Sequence, residues 1–253
     1  MKLVIDGSGG FAGDMFTAAL LNAGAEFNIV RNNMEKCGSR LGKIKVESEN
    51  SPDGYSQLSI SLAAEHDHIG AFRIREMLHE SFDDIRLQTV YREFGIKVLD
   101  ILIEAEKEAH KMNVFENLKH HHGHSHSGTI LHEAQDIIID IIGAVTGMEL
   151  LGVTPSAALI TPVKTGAGKI EFSHGILDVP APATRVILEN YNIEWEKGPI
   201  DTELCTPTGA SLLAALLENN FKPDMDRTEI SGEGSSRGSK ILPIPPLKIY
   251  LID

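Results

Sequence analysis

The chain has 253 residues, 42% apolar and 23% charged, which is enough to bury a real core. A formal net charge of -13 sets it against phosphate backbones, so nucleic acid is not an expected partner, whereas small cations are. Two cysteines, Cys37 and Cys205, without CxxC spacing exclude a disulfide framework or a Cys-rich zinc module. They fit a reducing cytoplasm.

In chain order, KLVID (2–6) reads as a strand rather than a signal peptide, so a cytoplasmic protein is expected. GSGG is a turn, and a helix follows from near Asp14 to Gly24. The DGSGGFAGD run could cradle an anion at that helix N-terminus, although it matches neither the P-loop nor the dinucleotide fingerprint. A second helix is predicted over 26–38. Residues 43–49 and the run YSQLSISLAAE alternate like two strands around SPDG, as a hairpin would. Beyond a polar break, EHDHIGAF, come helices at about 70–80 and 85–112.

Residues 117–128 form a polar loop with five histidines, His120, His121, His122, His124 and His126. Such a tract binds nickel or zinc without fixed geometry, or is simply a solvated loop. A long apolar helix is predicted over 130–151. At about 100° per residue, His132, Asp136 and Asp140 share one stripe of it, with Glu133 alongside. A buried carboxylate must be paired, protonated or metal-bound. Imidazole with carboxylates suits nickel, zinc or manganese; the alternative is that Arg or Lys matches both acids and His132 caps the helix. His66 and His68 form an HxH pair that would share a strand face as ligands, or be ordinary loop residues. From 158 onward, ALITPVKTG and KIEFSH read as short strands. PAPATRVILEN and TPTGASLLAALLEN read as helices with Pro in the first turn. The Gly/Ser-rich SGEGSSRGSK leads into a last strand, LKIYLID. No window of ~18 uninterrupted apolar residues suggests a membrane span. The expected fold is a single compact mixed α/β unit over 1–253, with a division into two lobes, 1–116 and 129–253, joined by the His-rich loop as the alternative.

Several segments together resemble the LarC-type nickel-insertion family. DGSGGFAGDMFTAALLNAG is similar to its opening motif, and HDHIGAFRIREML to its H-x-H segment. LHEAQDIIIDIIGAVTGMELLGV is similar to its His-Glu…Asp-x-x-x-Asp helix. HGILDVPAPAT and ELCTPTGASLL are similar to two long, specific later signatures. The resemblance implies insertion of nickel into pyridinium-3,5-bisthiocarboxylic acid mononucleotide, giving the nickel-pincer cofactor of lactate racemase-type enzymes. It implies CTP as co-substrate with manganese or magnesium. Carried over, Asp14, Asp136 and Asp140 are the catalytic candidates. His66, His68, His132, Glu133 and His174 are metal candidates beside the five loop histidines. Asp6 and Thr206 also fall in matched motifs.

The sequence departs from the family pattern in three ways. It ends at Asp253, short of the C-terminal nucleotide domain, so a separate partner chain carrying that domain is expected. The His-Glu to Asp spacing is shortened to HEAQD. Gly9 and Ala12 stand where serines are common. The competing expectation is a non-enzymatic nickel or zinc store or chaperone, and the reading leaves open whether the chain forms a homo-oligomer.

Overall fold

The computed structural model describes residues 1–64, 68–111, 130–172 and 175–253. The apolar centre of KLVID builds β1 (Lys2–Asp6), whose Leu3, Val4 and Ile5 are all fully buried. A strand buried on both faces belongs in the middle of a sheet with cover on each side. β1 runs parallel to β6 (Ala157–Thr161) and antiparallel to β12 (Leu247–Ile252), and next to β12 lies β11 (Ile230–Ser236). The predicted hairpin forms as β2 (Gly42–Asn50) and β3 (Ser56–Ala64), in register from Gly42–Ala64 to Asn50–Ser56, and joins through a single pair, Ser236–Ser56. The mixed six-stranded order is β2-β3-β11-β12-β1-β6.

Against one face of this sheet lies α1 (Gly13–Asn22), packed on β3, β11 and β12. Behind α1 lies α5 (Ala134–Leu151), enclosed in turn by α2 (Phe27–Gly38) and α4 (Thr89–Lys111). A helix with neighbours all round must be apolar all round, which is what the isoleucine-rich run of α5 supplies. Ile137, Ile138, Ile139, Ile141 and Ile142 are 5% exposed or less. α6 (Pro182–Asn190) and α7 (Pro207–Leu217) pack on each other and on α4, and α3 (Ala71–Asp84) completes the helical layer. One hydrophobic cluster runs from Leu3 to Leu251 through all of these helices. On the other sheet face a small cluster of Val4, Ala158 and Ile252 is covered by Phe221, Met225 and Tyr250.

α1 and α5 approach closely because α5 offers glycines. A Cβ on Gly143 would stand 2.7 Å from Thr17 Oγ1, and one on Gly147 would stand 2.9 Å from Leu20 Cδ1.

Three sequence expectations change. The long helix does not begin at 130: residues Ile130–His132 form β5, paired antiparallel with β4 (His68–Gly70), and α5 starts at Ala134. His132 is therefore not on the helical stripe of Asp136 and Asp140. The Gly/Ser-rich stretch from 231 does more than lead into the last strand; its first half is itself a strand, β11. There α1 crosses so close that a Cβ on Gly234 would overlap Ala19 O. The segment after β6 is also more finely divided than expected, into β7 (Val163–Gly166), β8 (Lys169–Phe172), β9 (Gly175–Asp178) and β10 (Trp195–Lys197). Among the described residues no helix is long and apolar enough to cross a membrane.

Candidate functional site

Two chain segments meet in a parallel bridge between Phe11 and Cys205: Phe11 N–H donates to Leu204 O and Thr206 N–H donates to Phe11 O. Each segment then turns directly into a helix, α1 at Gly13 and α7 at Pro207. Gly209 permits this, since a Cβ there would stand 2.8 Å from Ala12 Cα. α6 starts alongside, with Thr184 Oγ1 donating to Cys205 O at 3.5 Å. Three helix N-termini thus open onto one cavity of about 590 Å³.

The acids of the cavity come mainly from α1 and α5. Asp140 lies against the first residue of α1, where a Cβ on Gly13 would overlap its carboxylate. Its side chain is only 5% exposed, lines the cavity, and has no hydrogen-bond or cationic partner among the described residues. Asp136 sits one turn earlier in α5, and Asp14 in the first turn of α1. Burial, and then the charges of Asp136 and Asp14, push the Asp140 carboxyl well above the usual range. Asp136 is pushed up by burial, then by Asp14 and Glu133. Burial raises Asp14 to about 6. Three carboxylates in one poorly solvated place cannot all ionise without a cation among them. The alternative in which Arg or Lys matches Asp136 and Asp140 has no support among the described ion pairs. Nor is there a finished cage: among the described residues no three His, Cys, Asp or Glu side chains form a metal-holding group.

Glu133 is the N-cap of α5, with φ 56° and ψ 38°, in the left-handed region that a non-glycine residue rarely occupies. The strand ladder sets His68 opposite His132 in register, immediately before it. His66, His120, His121, His122, His124, His126 and His174 lie outside the described residues. Asp6 is outside the cavity lining: it accepts from Ser8 N–H and Thr161 Oγ1 and holds the turn after β1.

Two further acids line the cavity that sequence reasoning missed. Glu106 of α4 is raised to about 7 by burial. Glu203 is also raised to about 7, by burial and then by Glu133, with Lys240 opposing, and its Oε1 is buried without a partner among the described residues. Both stood in segments read only for their apolar periodicity or for a signature, and neither carries a local signal of burial. The opposite wall is the segment 236–246, held by Arg237, whose guanidinium donates to Asp53 and to Ile244 O at 2.7 Å and lies 5.2 Å from the Tyr55 ring. Lys240 of this wall donates to Thr202 Oγ1 at 3.0 Å.

The sequence matches the family model described as "Nickel insertion protein" over residues 3–251. A putative nickel insertion protein of Methanothrix thermoacetophila is 32% identical over 257 residues, covering 97% of this chain and 57% of that protein. Two proteins named pyridinium-3,5-bisthiocarboxylic acid mononucleotide nickel insertion protein are also 32% identical. The one from Thermotoga sp. strain RQ2 is matched over 96% of this chain and 59% of its own length. The one from Staphylococcus saprophyticus is matched over 85% and 50%. The chain thus spans between half and three-fifths of the length of these curated relatives. No solved structure matches it.

Proposed function

The chain belongs to the nickel insertion protein family, and on that premise we propose that its cavity receives a nickel ion and delivers it to a pyridinium bisthiocarboxylate mononucleotide. The observation that carries this reading is Asp140, 5% exposed and unpartnered among the described residues, facing the cavity beside Asp136 and Asp14. A divalent cation arriving there takes the place of protons that burial and mutual repulsion otherwise hold on these carboxyls. The oxygens are hard donors, so they hold nickel less firmly than sulfur does. The thiocarboxylate sulfurs of a mononucleotide bound in the same cavity then draw the ion away, and the acids take protons back.

In this reading Glu133, which lines the cavity, and His68 and His132, at facing register positions of β4 and β5, pass the ion toward these acids. The five imidazoles of 120–126, with His66 and His174, are the collectors in the proposal, since neutral imidazole is a good ligand for nickel. CTP and its manganese or magnesium ion belong, in this reading, to the portion of the relatives that the chain does not match, supplied by a partner chain or domain. An acidic cavity on a chain of net charge -13 is a poor host for a triphosphate.

Nickel titration tests the reading. Asp136→Asn with Asp140→Asn should abolish the nickel that resists dilution. Changing the five loop histidines to Ala should lower stoichiometry and leave that nickel in place. Retention of all tight nickel by the double Asn variant overturns the assignment.

A further inference from the structure

The helix N-termini on the cavity differ in what they already hold. At the α1 end the N-terminus is already matched to anions, because Asp14 lies in its first turn and Asp140 lies against Gly13. The N-termini of α6 and α7 face no such carboxylate in their own first turns. Thr206 caps α7, but its hydroxyl serves only Gly209 N–H, at 3.1 Å. That leaves the amide of Thr208 without an acceptor among the described residues. α6 has Ala181 as N-cap and no side-chain cap, so Ala183 and Thr184 also keep amides at the open end. The side chain of Thr208 adds an independent observation. It lines the cavity, is 6% exposed, and its hydroxyl has no partner among the described residues. A hydroxyl of a buried residue that reaches the cavity without a protein partner is available to a ligand acceptor there.

We propose that the first turns of α6 and α7, with the Thr208 hydroxyl and amide at their centre and Lys240 on the facing wall, form a subsite for a phosphate monoester. This rests on the mononucleotide reading above and assigns its two ends: phosphate at Thr208, metal-binding sulfurs toward Asp140. A dianionic phosphate accepts several hydrogen bonds at once, which fits a hydroxyl donor beside uncapped amides. Lys240 reaches this wall from 236–246 and has spare donors beyond its bond to Thr202. Glu203 feels the charge of Lys240. Held up to about 7, it is only about half ionised at neutral pH and opposes an anion less than an ordinary glutamate would. The acids of α1 and α5 repel phosphate, which favours the orientation that turns the metal-binding sulfurs toward Asp140.

Calorimetry with nicotinamide mononucleotide, nicotinamide riboside and inorganic phosphate tests this on the full chain. The mononucleotide should bind the wild type, with inorganic phosphate competing and the riboside binding more weakly. Thr208→Val keeps shape and removes the hydroxyl. It should weaken mononucleotide binding about ten- to hundredfold, and Thr208→Ser should restore most of it. A Val variant whose melting is as cooperative as that of wild type, but whose mononucleotide affinity is unchanged, overturns the subsite. So does mononucleotide binding no tighter than riboside binding. A parallel loss with pyridine-3,5-dicarboxylate, which has no phosphate, would place a carboxylate there instead and also overturns it. Nickel titration of the wild type reports separately on the proposed function, so either reading can fail alone.

Discussion

Gly13 gives up its side-chain position to the carboxylate of Asp140. A Cβ at Gly13 would stand 2.6 Å from Asp140 Cβ and overlap the carboxylate itself. Glycine here is the condition for an acid of α5 to lie beneath the start of α1. The same stripe of α5, one and two turns on, carries Gly143 and Gly147 against Thr17 and Leu20. Close helix packing and acid placement therefore have one origin.

Gly13→Ala tests this with a sign that propensity does not predict. Alanine inside a helix is favoured over glycine by about 1 kcal/mol. Because the methyl group must displace Asp140, we expect instead a net loss of roughly 1–3 kcal/mol in urea unfolding. Nickel affinity should fall as well, since the carboxylate moves. A stabilised Gly13→Ala with unchanged nickel binding contradicts the placement.

Glu106 supplies a pH dependence. Its carboxyl is raised by burial from 4.5 to about 7, so the folded state holds a proton that the unfolded state releases. Its contribution to stability is complete below about pH 4.5 and is lost as pH rises through about 7. Glu106→Gln removes that slope, and at pH 8 it should be more stable than wild type by roughly 3 kcal/mol at most. Unfolding curves at pH 5 and pH 8 measure it; an equal difference at both pH values would refute the burial of this acid.

Arg237 fastens one wall of the cavity to the rest of the protein. Its guanidinium bonds Asp53 and Ile244 O, lies over the Tyr55 ring, and is 9% exposed as a residue. Removing it leaves a buried carbonyl without its donor and frees 237–246 from the turn before β3. Arg237→Ala should cost about 2–4 kcal/mol and weaken mononucleotide binding. Arg237→Lys should restore little, because one ammonium cannot span both acceptors in the fork geometry. Full rescue by Lys would show that the charge alone matters.

Much of this was present in the sequence because it depends on period and turn chemistry. The hairpin β2–β3, the Pro-started helices α6 and α7 and the all-apolar α5 follow from local pattern. Asp136 and Asp140 also stand out there, as acids inside an apolar helix, whereas Asp14 is singled out only through the family resemblance. What the pattern concealed depends on partners distant in sequence. β11 hides in a Gly/Ser-rich run because Gly234 answers to α1, some two hundred residues earlier. Glu106 looks like one more exposed acid of α4, and Thr208 like part of a cap. Only the convergence of α1, α6 and α7 gives them a shared cavity. The His132–Glu133 boundary was misplaced because the helical period continues across it, while pairing with β4 takes the residues before it.

Glu133 is where that boundary is enforced. Between β5 and α5 it adopts φ 56°, which a glycine accepts freely and a glutamate holds at a cost of about 1 kcal/mol. Glu133→Gly should therefore raise stability by roughly 0.5–1 kcal/mol, less the entropy that glycine adds to the unfolded chain. Glu133→Gln keeps the backbone strain and removes only the charge that presses on Asp136 and Glu203. If the strained residue is kept for its carboxylate, both variants should weaken nickel capture while only Gly relieves the backbone. Unfolding and nickel titration of the two side by side separate the effects. A Glu133→Gly variant that loses more than the roughly 1 kcal/mol attributable to glycine's unfolded-chain entropy would mean that the left-handed turn carries no strain. Unchanged nickel binding in both would mean that the carboxylate takes no part in guiding the ion to Asp136 and Asp140.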